Sequence, residues 1–192
     1  RLVKDVILLF RALCKLAMKP LREDIPVNSK KVAMQTKVLS LELLEGLMRN
    51  AGPHFRKSNR CTYAVHNYLN MGLLVTNSVS SIPQIFKLTV SIFDIVFHTF
   101  KESLKTEVGV FFGSLLLRTL ETDNSSYQQK MTVLETIHRF TLEGKTIVEL
   151  FLNYDCDLES EELYEKLVNA LSRVAQGVHI TNTGLHPWQE HK

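Results

Sequence analysis

Asn153-Tyr154-Asp155-Cys156-Asp157 is the stretch of this 192-residue chain with the most evident capacity for chemistry. Its two carboxylates form a DxD, a pair that can hold a divalent cation together with a nucleotide-sugar diphosphate. That use needs the pair at the end of a strand in an α/β fold. A calcium loop starting at Asp155 requires glycine at its sixth position and a bidentate glutamate at its twelfth. Ser160 and Lys166 stand there instead. Cys156 as a nucleophile would need a neighbouring base, and the nearest histidines in sequence, His138 and His179, belong to no catalytic signature. The seven histidines show no HxxxH or HExxH spacing, and the eight glycines form neither GxGxxG nor a P-loop. The expectation is therefore no catalytic residue, no metal and no cofactor.

Bulk composition agrees with an ordinary globular domain, at 45% hydrophobic and 22% charged residues. No apolar run reaches the roughly 18 residues that a membrane helix needs, and no signal peptide opens the chain. Cys14, Cys61 and Cys156 are odd in number and without CxxC spacing, which suits a reducing compartment. The start at Arg1 and the aperiodic end suggest a piece of a longer protein. Residues 1–60 hold 13 Lys/Arg against 5 Asp/Glu, a net +8, and residues 61–192 hold 10 against 15, a net −5. Such asymmetry fits either solvated helix faces or electrostatic docking.

The elements that must position these residues read as helices throughout. From Val3 to Met18 apolar residues fill most of the circumference, with Lys4, Arg11, Lys15 and Lys19 as a narrow basic stripe; the pattern predicts a helix buried on most sides and ended by Pro20. That stripe is a candidate contact for an acidic partner or anionic lipid. It lacks interleaved aromatics, which argues against nucleic acid. Further helices are expected near 30–48, 59–74 (broken by Asn77 and Ser78), 80–100, 107–120, 125–142, 145–152 and 158–176. Ser80-Ser81-Ile82-Pro83 and Asp123-Asn124-Ser125-Ser126 supply helix entries. Period-two alternation and hairpin turns are missing. The fold class is all-α, a HEAT or armadillo-like α-solenoid of about seven or eight helices.

Within the opening stretch, Asp157 or Ser160 is expected to accept from the free N–H groups of the last helix. Glu159, Glu161 and Glu162 suit its positive end. Capping needs one such residue, so the crowding of Asn153, Tyr154 and Asp155 asks for more. Tyr154 is expected as a packing anchor, Asp155 as an acceptor ordering the turn or bonding a partner, Asn153 as the close of the preceding helix and Cys156 as a small buried filler.

KDVILLFRALCKLAMKPL (Lys4–Leu21), RNAGPHFR (Arg49–Arg56), SIPQIFKLTVSIF (Ser81–Phe93), NYDCD (Asn153–Asp157) and YEKLVNALSRVAQG (Tyr164–Gly177) occur in this order. Together they resemble the homology-upstream (HUS) region of the large Arf guanine-nucleotide exchange factors of the Golgi, in the brefeldin-A-inhibited, trans-Golgi branch. Tyr164, in place of phenylalanine, and Ala170, in place of an acid, depart from that pattern. The resemblance implies a regulatory helical-repeat domain over residues 1–180, with 181–192 as a tail or linker. It implies that Asn153 to Asp157 is the HUS box, contacting the preceding dimerisation and cyclophilin-binding domain. It further implies no exchange activity in this chain, partnership with Arf-family small GTPases, and a cytoplasmic protein peripheral on Golgi membranes. A stand-alone helical-repeat binding module unrelated to Arf exchange is the alternative.

Overall fold

The computed structural model describes residues 2–21, 26–78, 80–100, 103–157 and 161–177, and every regular element among them is helical. Helix α1 is Leu2–Met18, α2 is Val27–Arg49, and α3 is the short Pro53–Lys57. Helix α4 spans 59–78 and contains a π-helical stretch, Val65–Leu74. Helix α5 is Pro83–Phe100, and α6 spans 105–121 with π-helical Phe112–Leu117. Helix α7 is Tyr127–Leu142, α8 spans 144–155 and ends on π-helical Phe151–Asp155, and α9 is Leu163–Ala175. The all-α expectation holds, with eight longer helices and one of five residues among the described residues. None of these helices is long and apolar enough to cross a membrane. The 181–192 tail lies outside the described residues.

The chain divides into two compact units, Arg1–Glu107 and Val108–Lys192, the division falling inside α6. In the first, α1 packs on α2 and α4, and α2 packs on α5. This is the helix-on-helix layering of a solenoid. Phe10, Leu41, Leu44, Met48, Leu69 and Phe86 are its buried centre. The Phe55 ring meets those of Phe10 and Phe100 edge-on, each at 6.3 Å, so the short α3 is held between α1 and α5.

Two sequence expectations change here. Helix α1 is not buried on most sides: Phe10, Leu13, Cys14 and Ala17 point inward, whereas Leu8 is 61% and Leu9 56% exposed. Its described packing partners, α2 and α4, cover only one side. Nor do Asn77 and Ser78 break α4, which runs through Ser78. Asn77 is buried, and its amide Nδ2 donates to the Ala17 carbonyl at 3.4 Å, while Lys37 Nζ donates to the Lys19 carbonyl at 3.1 Å. The last carbonyls of a helix have no partner within it, and these two side chains supply donors from neighbouring helices. Burial holds the Lys37 ammonium below the usual lysine range.

Several local entries hold as read. Ser126 accepts from Gln129 N at 3.2 Å while Gln129 Oε1 accepts from Ser126 N at 2.8 Å, a complete capping box for α7. Ser80 Oγ accepts from Ile82 N ahead of Pro83, the first residue of α5.

Helices α2 and α5 are clamped by Glu45, whose Oε1 accepts from Ser91 Oγ at 2.7 Å and from Arg49 Nη2 at 2.6 Å. Burial alone pushes this carboxyl up, but the bonds from Ser91 and Arg49 and the Arg49 charge outweigh it, and the net direction is down. A carboxyl lowered on folding contributes stability that is complete above the ordinary glutamate value near 4.3 and disappears as pH falls through the folded value. Glu45→Gln should therefore cost about 0.5–1 kcal/mol at pH 6. In urea titrations the gap to the native chain should close toward pH 3; a gap independent of pH would contradict this account.

Candidate functional site

The Asn153–Asp157 stretch forms the last turn of α8 and the exit from it. The helix widens at Phe151, and Cys156 N donates to the Phe151 carbonyl at 3.1 Å, an i→i+5 closure. Such π turns take one residue more than an α turn and recur at functional positions. Tyr154 is 6% exposed, and its ring lies so near Gly109 of α6 that a Cβ there would sit 2.9 Å from Cε1. The expected packing anchor is thus in place, and glycine makes room for it.

Asp155 carries the polar half. Its Oδ2 accepts from Tyr164 N at 2.8 Å and its Oδ1 from Glu165 N at 2.9 Å. These are free donors in the first turn of α9, where the helix dipole also favours a negative charge. Residue Glu162, at the N-cap position, contributes no side-chain bond. The cap therefore comes from Asp155 rather than Asp157, and Ser160 lies outside the described residues. Local reading searches within three residues of a helix start, whereas this carboxylate arrives from the end of another helix. Two further expectations are corrected. Cys156 is exposed, not a buried filler. Asn153 is also exposed and does not close α8, which continues to Asp155.

Beside this locked turn lies an apolar surface that periodicity did not single out. Val148, Phe151 and Leu152 of α8 are 55%, 46% and 56% exposed, off the inward line of Leu150 and Tyr154. The Phe151 ring meets that of Tyr164 edge-on at 5.8 Å. Val168, one turn beyond Tyr164 in α9, is also exposed. The unbroken apolar run Leu150-Phe151-Leu152, wider than the one inward line a packed helix needs, was the available signal. Gly109 was legible only as an isolated glycine in a helical pattern.

The basic stripe is solvent-facing: Lys4, Arg11, Lys15 and Lys19 are all exposed, and the Arg11 guanidinium lies 5.1 Å from the centre of the Tyr68 ring, a cation–π contact. Among the described residues no group of three or more His, Cys, Asp or Glu could hold a metal ion. Burial pushes the Cys14 thiol up to about 12, which leaves it protonated at neutral pH. What the described side chains build is a packed, capped turn next to an apolar face.

Asp155→Ala should lower unfolding free energy by about 1–3 kcal/mol, through loss of two charge-assisted bonds at the start of α9. Gly109→Ala sets a helix-propensity gain of about 1 kcal/mol against overpacking of about 1–3 kcal/mol. The buried ring cannot swing away, so a net loss is expected. Gly46→Ala, where an added Cβ meets nothing within 4 Å, should instead gain about 0.5–1 kcal/mol. Chemical denaturation of the three variants checks these signs; a stabilised Gly109→Ala would remove the role given to the glycine.

Comparison with known proteins bears on the whole chain. Residues 2–163 match the family model described as Mon2/Sec7/BIG1-like, HUS domain. Over 189 residues the chain is 42% identical to Brefeldin A-inhibited guanine nucleotide-exchange protein 1 of Rattus norvegicus and to that of Homo sapiens, covering 98% of this chain and 10% of each relative. It is also 42% identical over 192 residues to Brefeldin A-inhibited guanine nucleotide-exchange protein 2 of Arabidopsis thaliana, covering 99% of this chain and 10% of that relative. The chain thus spans about a tenth of the length of the curated relatives it matches. The NYDCD stretch falls inside the matched residues, and the chain belongs to the Mon2/Sec7/BIG1-like HUS-domain family.

Proposed function

We propose that this chain is a non-catalytic regulatory and scaffolding segment of a large exchange factor for Arf-family GTPases. It docks on the preceding dimerisation and cyclophilin-binding domain of the same polypeptide. The observation that carries this reading is the arrangement at the end of α8. Tyr154 and Asp155 are consumed in holding α6, α8 and α9, while Val148, Phe151, Leu152 and Asn153 are left exposed beside them. Contiguous exposed apolar side chains next to a rigid turn suit a protein contact. The chain is about a tenth of its relatives' length, which leaves ample polypeptide to cover that face. In this reading Asn153 and Asp157 rim the contact, Cys156 sits at its edge, and the box acts by shaping the surface more than by touching the partner.

The exposed stripe of Lys4, Arg11, Lys15 and Lys19 supports a peripheral place on Golgi membranes, where anionic headgroups attract such residues. Nucleotide exchange is the activity in the relatives' names, and in this reading it belongs to a separate downstream domain.

Leu152→Asp and Phe151→Ser should each weaken binding to the preceding domain at least tenfold in a titration, with unchanged circular dichroism. Full binding by both well-folded variants would refute the docking face. In a fluorescent-nucleotide release assay the isolated chain should leave the spontaneous rate of an Arf-family GTPase unchanged; acceleration by this chain alone would overturn the non-catalytic reading.

A further inference from the structure

A cleft of about 670 Å³ opens in the first unit between the start of α4 and the end of α5. Among the described residues its lining is Arg56, Lys57, Asn59, Thr62, His98, Thr99 and Ser103. Every one of these side chains carries an N–H or O–H donor, and none is a carboxylate or a purely aliphatic group. The sequence around it is equally one-sided. From residue 46 to residue 93 the chain has no Asp or Glu, while Arg49, His54, Arg56, Lys57, Arg60, His66 and Lys87 all fall within that span. Among the described residues Asp94 borders the lining, its Oδ1 3.3 Å from His98 Nε2, and Glu102, next to Ser103 in sequence, lies outside the described residues.

A solvated basic face would explain the cations but not the hydroxyls. Threonines within helices ordinarily bond back to the carbonyl four residues earlier, and Thr36, Thr89, Thr119, Thr132 and Thr136 do so here. Thr62 and Thr99 do not, and with Ser103 they make no side-chain hydrogen bond among the described residues. At Thr62 the reason is local, because the Ser58 carbonyl already accepts from Cys61 N and Thr62 N, both at 2.9 Å. Arg56 is fixed at its Nε, which donates to the Ala51 carbonyl at 2.7 Å, so its stem is held while its terminal nitrogens have no partner among the described residues. Lys57 has no partner among the described residues.

We propose that this cleft binds a phosphorylated polyol, its phosphate oxygens taken by Arg56 and Lys57 and its hydroxyls or remaining oxygens by Thr62, Thr99 and Ser103. A held guanidinium, a neighbouring ammonium and uncommitted hydroxyls match the dense acceptor array of phosphate esters, and guanidinium pairs with phosphate in a fork. The cleft has the size of small-molecule sites and far exceeds a lone orthophosphate. The same chemistry is offered by a soluble inositol phosphate and by a phosphoinositide headgroup.

The test uses the 192-residue chain in two arms at physiological salt. One is calorimetric titration with inositol hexakisphosphate; the other is co-sedimentation with phosphatidylcholine vesicles with and without a phosphatidylinositol phosphate. Binding in the first arm identifies a soluble ligand's geometry, and binding in the second alone identifies a headgroup; either supports the site. Lys57→Gln should weaken that binding at least fivefold, and the Thr62→Val/Thr99→Val double variant, which changes no charge, at least threefold. Lys30→Gln/Lys31→Gln on exposed positions of α2 should leave it within twofold. Absence of binding in both arms, or equal weakening by the α2 control, would overturn the proposal. So would full binding by the threonine variant with native circular dichroism.

Discussion

Helix α9 begins without a cap of its own, and two of its first free N–H groups are answered by a carboxylate from a different helix. That single bidentate contact from Asp155 links three features of the second unit. It stabilises the start of α9, it requires α8 to end where it does, and it holds Tyr154 one residue upstream against the backbone of α6 at Gly109. Leu163, Leu167 and Ala170 then present the buried side of α9, and Phe112 stacks on Phe140 at 6.4 Å within the same unit. Remove the acceptor and α9 keeps its amphipathic pattern but loses what fixes its start.

The same packing accounts for the residue types crowded into the Asn153–Asp157 stretch. Two carboxylates, a phenol and a thiol within five residues suggest catalysis when seen as a string. In the folded chain the first carboxylate is saturated by backbone donors, the phenol ring is packed, and the thiol stands exposed. The surface left over beside them, Val148, Phe151 and Leu152, is apolar.

In the first unit the comparable device is the end of α1, where Asn77 and Lys37 bring donors to the Ala17 and Lys19 carbonyls at the point where the helix stops before Pro20. Burying an ammonium to do so is costly, and the direction of the Lys37 shift registers that cost. Each unit thus has a helix end settled by a side chain from another helix.

The all-α class, the longer helices and the entries at Ser80–Pro83 and Asp123–Ser126 were legible in the sequence, because each depends on residues within a few positions of one another, whereas the short α3 at Pro53–Lys57 was not. Periodicity gives the inward line of a helix: Leu163 and Leu167 of α9 are buried on it, with Leu171 and Val174 only half-buried toward the helix end. Tertiary structure alone decided that Asp155 and not Asp157 caps α9, that Asn77 is a buried donor and not a breaker, and that α1 is half uncovered. It alone decided that Cys156 faces outward and that Gly109 makes room for a ring. Each of these depends on which helix end lies beside which, and a hydrogen bond of 2.8 Å or a methyl-sized gap is set by packing between segments that the local sequence does not encode.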